Sequence, residues 1–149
     1  MKSILSLLFA LTIANLVHAE LTIISTEHRD EDSFKRFTEY LGGKPNDGRY
    51  SVLRSVPDSR NGFYISLKAS DKEIISSTKS VTLSFVRPGT QEIEKKVFEN
   101  VELRKKRILL GMTESDWSAE NSRPVAWKIE FFDASRSLLD SARSFLWSE

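Results

Sequence analysis

The chain contains no cysteine. No disulfide can hold it together, and no thiolate can act as nucleophile or metal ligand. Histidine is nearly as scarce: of the two in the sequence, His18 falls within a leader described below, which leaves His28 alone. Nucleophilic relays built on imidazole therefore have little to work with, and no Gly-x-Ser-x-Gly elbow is present. After residue 19 no apolar run is long enough to span a bilayer, and no Asn-x-Ser/Thr acceptor occurs anywhere. An excess of charge of one sign is missing too, with 22 bases against 21 acids. A duplex nucleic-acid binder normally carries a basic surplus to neutralise phosphates, so no nucleic-acid partner is expected.

What is present begins with a leader. Lys2 precedes an apolar stretch from Ile4 to Leu16, followed by Val17-His18-Ala19, in which small residues flank a variable one. That is the layout of a secretory signal cleaved after Ala19. The apolar stretch is too short for a membrane anchor and is broken by Ser6, Thr12 and Asn15. Cleavage removes Lys2 and no acid, leaving 21 bases and 21 acids and a formal net charge of zero. The remaining 130 of 149 residues suit one domain that buries roughly two thirds of its unfolded surface. An exported, cysteine-free domain must rely on that burial for stability, and it fits a bacterial envelope, periplasmic or extracellular. No transmembrane segment is expected after cleavage.

The pattern beyond residue 19 divides in two. Residues 20–48 read as an N-terminal arm: a β-prone run Leu21–Thr26, a charged link Glu27–Asp32 expected to be solvated, and a short helix over Ser33–Leu41. Phe34, Phe37 and Leu41 recur at helical spacing in that helix, Gly42-Gly43 stops it, and a turn signal runs to Gly48. From Arg49 to Glu149 the period changes to two. Phe63, Ile65, Leu67 and Ala69 alternate with Tyr64, Ser66, Lys68 and Ser70, predicting a strand with one buried and one wet face. Val81–Phe85 and Glu92–Phe98 flank Pro88-Gly89 as a hairpin, Ile108–Met112 gives another strand, and Trp127–Phe131 and Leu138–Trp147 form a second hairpin. With Leu21–Thr26 and Arg49–Val56 this makes eight strands and no intervening helix. The expected fold is all-β, mainly antiparallel: a β-sandwich with a short N-terminal helix, or alternatively a small barrel. In architecture alone it resembles immunoglobulin and fibronectin type III domains, while the Cys, Trp, Cys spacing of antibody domains is absent.

Several clusters could carry chemistry. Ser76-Ser77-Thr78-Lys79 fits the Ser-x-x-Lys spacing of penicillin-binding proteins, but the accompanying Ser-Asp-Asn and Lys-Thr-Gly segments are missing and a surface loop explains it better. Glu27, His28, Asp30, Glu31 and Asp32 hold oxygen and imidazole ligands, yet their spacing fits no calcium loop, so no metal and no cofactor are expected. Arg104, Lys105, Lys106 and Arg107 concentrate four positive charges between two apolar runs. They could meet an anionic glycan, a lipid headgroup or an acidic protein, or simply keep a sheet edge from pairing. Trp117 stands beside Asp116 in the aperiodic segment Thr113–Pro124, either capping the core or presenting a flat face to a sugar or protein. The candidate ligand-binding residues are thus Trp117, Asp116, Arg104, Lys105, Lys106 and Arg107, and none is expected to be catalytic.

The functional expectation is an exported, non-enzymatic binding or structural module of the cell envelope, meeting an envelope protein or a glycan. The alternatives are a secreted inhibitor that acts through the Thr113–Pro124 loop and a carboxylate-based hydrolase.

Overall fold

The computed structural model describes residues 21–34, 48–117 and 123–148. The leader, the helix expected at Ser33–Leu41 beyond its first two residues, and the turn expected from Gly42 lie outside the described residues.

Among the described residues eight strands form: β1 (Thr22–Arg29), β2 (Tyr50–Arg54), β3 (Gly62–Lys68), β4 (Ser80–Val86), β5 (Ile93–Glu99), β6 (Arg107–Thr113), β7 (Ala126–Phe132) and β8 (Leu138–Arg143). They make two four-stranded sheets, ordered β1-β3-β6-β2 and β5-β4-β7-β8. The fold is the expected all-β sandwich. Alternation builds it: Phe63, Ile65 and Leu67 of β3 and Ile108, Leu110 and Met112 of β6 meet Val81, Leu83 and Phe85 of β4 and Trp127, Ile129 and Phe131 of β7 in one core. Each such side chain withdrawn from water contributes roughly 1.5–3 kcal/mol. The β4–β5 hairpin turns at Pro88-Gly89, where Gly89 has φ +82°. In the β7–β8 hairpin the Asp133 carboxylate accepts the N–H groups of Ser135 at 2.8 Å and Ser137 at 2.9 Å.

Five features differ from the sequence reading. All strand pairs are antiparallel except β2 and β6, which run parallel from Tyr50 beside Arg107 to Arg54 beside Gly111. Residues Glu27–Arg29, expected as solvated link, continue β1, because the backbone there pairs with Gly62–Tyr64 and Glu27 neutralises Arg29 at 2.5 Å. A short helix, α1 (Lys72–Ser77), intervenes between β3 and β4. Asp71 caps it by accepting Glu73 N–H at 3.0 Å, Ile74 and Ile75 anchor it in the core, and Thr78 Oγ1 donates to Ile74 O at 2.6 Å to end it. Ser76 and Ser77 therefore belong to a helix rather than a loop. The last strand stops at Arg143 rather than running to Trp147, and Phe145 and Leu146 stand in solvent.

The outer face of β3 is wet only at its last residue, Lys68. Tyr64 is fully buried, with the Phe34 ring 4.8 Å away and Arg54 Nε donating to its hydroxyl at 3.1 Å. Its own O–H donates to Arg60 O at 2.7 Å, and burial pushes the phenol's pKa up, so it stays a neutral donor. Ser66 is buried on the same face.

Candidate functional site

The sheet orders place β2 and β5 at edges on the same side of the sandwich, and an open cleft of about 490 Å³ separates them. One wall runs from Val52 to Pro57, the other from Lys96 to Glu102. A strand edge carries N–H and C=O groups that no neighbour satisfies, so an edge strand lining a cleft is a place where an extended chain can pair.

The upper end of the cleft is closed by charged groups. On β5, Glu94 and Lys96 stand opposite Phe85 and Leu83 of β4, on the face that looks toward the core. Neither charge is left alone there. Lys96 Nζ reaches Asp116 Oδ2 at 2.8 Å, and Arg87 Nε reaches Glu94 Oε1 at 2.7 Å. Asp116 follows β6 in a single 3-10 turn, Glu114–Asp116, so the Lys96 contact joins the edge of the second sheet to the end of the first. Arg87 Nη2 adds a bond to Asp116 O at 2.8 Å. The Lys96 ammonium, and after it the Ser55 hydroxyl, hold the Asp116 carboxyl below its usual range, against the opposing effect of burial.

Trp117 lies beneath this network and is 1% exposed. Its ring packs against Phe63 at 5.8 Å and Phe85 at 6.0 Å, and the Arg87 guanidinium lies 5.0 Å from its centroid. The tryptophan is a cap of the core, with its indole Nε1 buried and lacking a hydrogen-bond partner among the described residues. Asp116, half-buried, is the member of that pair joined to the cleft lining, through Lys96.

The four basic residues lie elsewhere. Arg107 opens β6 and Asp116 follows its end, so the strand's seven residues, about 3.3 Å each, separate them. Ser51 Oγ accepts the N–H groups of Arg104 and Lys105 at 2.9 Å each, and Lys106 Nζ donates to Ser70 O at 2.8 Å. Lys105 Nζ donates to Gly48 O. Arg104 meets Glu102 at 3.3 Å across largely exposed side chains, a contact worth little. The six candidate residues thus form two groups, one at each end of β6.

Sequence reasoning missed Lys96, Glu94 and Arg87. Lys96 and Glu94 read as ordinary members of a return strand; what marks them is that polar residues occupy inward register positions. Also missed was the outer-face cluster in which the Phe34 ring is approached by the guanidinium groups of Arg29 at 5.6 Å and Arg54 at 5.2 Å.

Among the described residues no His, Asp and Glu gather in a group able to hold a metal ion, and no helix is long and apolar enough to cross a membrane. No family model, no curated protein and no solved structure matches the chain.

Proposed function

We propose that the protein is an exported, non-enzymatic binding module of the cell envelope that takes an extended segment of a partner protein into the cleft between β2 and β5. The observation that carries this reading is that two edge strands, each with one unpaired side, line the same cleft. Main-chain groups on such edges supply affinity to any extended peptide, and side-chain pockets select among peptides. The Lys96–Asp116 and Arg87–Glu94 pairs serve selection: inward-facing charges on an edge strand discourage indiscriminate sheet-to-sheet pairing, so an occupant must offer polar groups at that end. Leu53 of β2 and Phe98 of β5, at inward-facing positions, offer apolar surface along the cleft.

Site-specific photo-crosslinking in the native envelope tests the proposal. A cross-linker placed at Val52 or Val97 should capture the same protein, and one placed at Leu138 on the far edge should not. Absence of an adduct at both cleft positions, or an equal yield at Leu138, overturns it.

A further inference from the structure

The basic end of the first sheet contains a pairing that a sheet ordinarily avoids. Lys68 closes β3 and Arg107 opens β6, and the antiparallel register sets them directly opposite one another. Both are exposed, and neither has an ion-pair partner among the described residues. Their row is completed by Thr22 of β1 and Tyr50 of β2, and the next row on the same face reads Ser25, Ser66, Leu109 and Val52. No acid stands in either row. Like charges directly opposite on neighbouring strands work against pairing, so this arrangement favours a bound anion.

The loop before β6 enlarges the cluster. Arg104, 81% exposed in its side chain and touched by the equally open Glu102 at 3.3 Å, Lys105 and Lys106 precede Arg107 without interruption. The loop is fixed by Ser51, and the ammonium groups of Lys105 and Lys106 are each positioned by a backbone carbonyl. An ammonium has three N–H donors, so each keeps donors for a further acceptor. The cations come from the end of one central strand, the start of the other and the loop between sheets. They are spread over an area rather than aligned along a groove.

We propose that this end of the sandwich docks on an anionic phospholipid surface, lipid phosphates settling among Lys68, Arg104, Lys105, Lys106 and Arg107. A two-dimensional array of phosphates matches cations spread over an area better than one linear polyanion does. Arginine can engage two oxygens of one phosphate, and lysine acts as a point charge. The cleft opens along the side of the sandwich, so docking by the end leaves it accessible.

Co-sedimentation of the exported protein with vesicles tests the inference, using phosphatidylcholine with and without phosphatidylglycerol. Binding should require phosphatidylglycerol and should weaken as salt is raised. The double variant K68Q/R107Q should lower the partition coefficient by on the order of tenfold or more. It should melt no lower than the parent protein, since a repulsive pair has been removed. Arg123→Gln, at the other end of the molecule, should bind as the parent does. Equal binding to pure phosphatidylcholine, an unaltered K68Q/R107Q partition, or retention on a sulfated polysaccharide resin without vesicle binding overturns the proposal.

Discussion

Lys96 on the edge of one sheet and Asp116 at the end of the other are joined at 2.8 Å, the ammonium donating to the carboxylate and tying the two sheets together beside the cleft. The two side chains are about one-third exposed, so the contact is worth at most about 1 kcal/mol, and its value lies in fixing the rim.

That contact gives acid stability a specific signature. Asp116 has its pKa lowered from 3.8, chiefly by Lys96 and further by Ser55. A carboxyl whose folded pKa is depressed stabilises the fold above its unfolded pKa and loses that contribution as pH falls through the folded value. Asp116→Asn should therefore be less stable than the parent at neutral pH by up to about 1 kcal/mol, and the gap should close below pH 3.8. Asp30 and Asp133 are lowered as well, held by Ser33 and by Ser137 with Ser135, so acid loss in the parent protein alone is not diagnostic. Urea unfolding of both proteins across the acid range measures the difference. A gap independent of pH would show that Asp116 acts through packing alone.

Trp117→Ala should cost about 3–5 kcal/mol, because it empties a space bounded by Phe63, Phe85 and the Arg87 guanidinium. Trp117→Phe should cost clearly less, since it retains a ring and removes an indole N–H that has no acceptor. Thermal unfolding separates the two. An unchanged melting point in the alanine variant would place the tryptophan outside the core.

Gly111 is required by a close approach rather than by its backbone angles. A Cβ there would lie 2.3 Å from the Tyr64 ring, so Gly111→Ala must displace the ring and break the Tyr64–Arg60 bond. The expected loss is about 1–3 kcal/mol. Tyr64→Ala in the same molecule should make the added methyl nearly free of further cost. Additive losses in the double variant would show that the two residues do not compete for space.

The leader reading predicts a mature protein beginning at Glu20. Intact mass of the exported form decides it. A species that retains Met1–Ala19 after export would overturn the cleavage.

Much of the sandwich was legible because alternation and turn chemistry agree at the hairpins: Pro88-Gly89 and the Asp133–Ser137 segment end strands whose apolar residues keep period two. Helix α1 was not, because Ile74 and Ile75 are adjacent and show no helical repeat over six residues; only Asp71 as a cap marked it. The end of β1 was hidden by its charges, which an edge strand tolerates on its outer side. Parallel pairing of β2 with β6 leaves no trace in either strand, since register between distant segments is set by the assembled core. The same limit governs the site. Asp116 and Trp117 were visible as residues, but Lys96, twenty positions earlier, joins them only through the fold.

The β2–β6 pairing also orders events in folding. Tyr50 meets Arg107 across a long stretch of chain, whereas the β4–β5 and β7–β8 hairpins close over short turns. Local hairpins therefore form early and β2 joins late, after most loop-closure entropy has been lost. Until it does, β6 presents an open edge bearing Ile108, Leu109 and Leu110, which in the finished protein are completely buried or nearly so. That edge is a template for pairing with any neighbouring chain, so refolding yield should fall with protein concentration while the folded protein itself stays monodisperse.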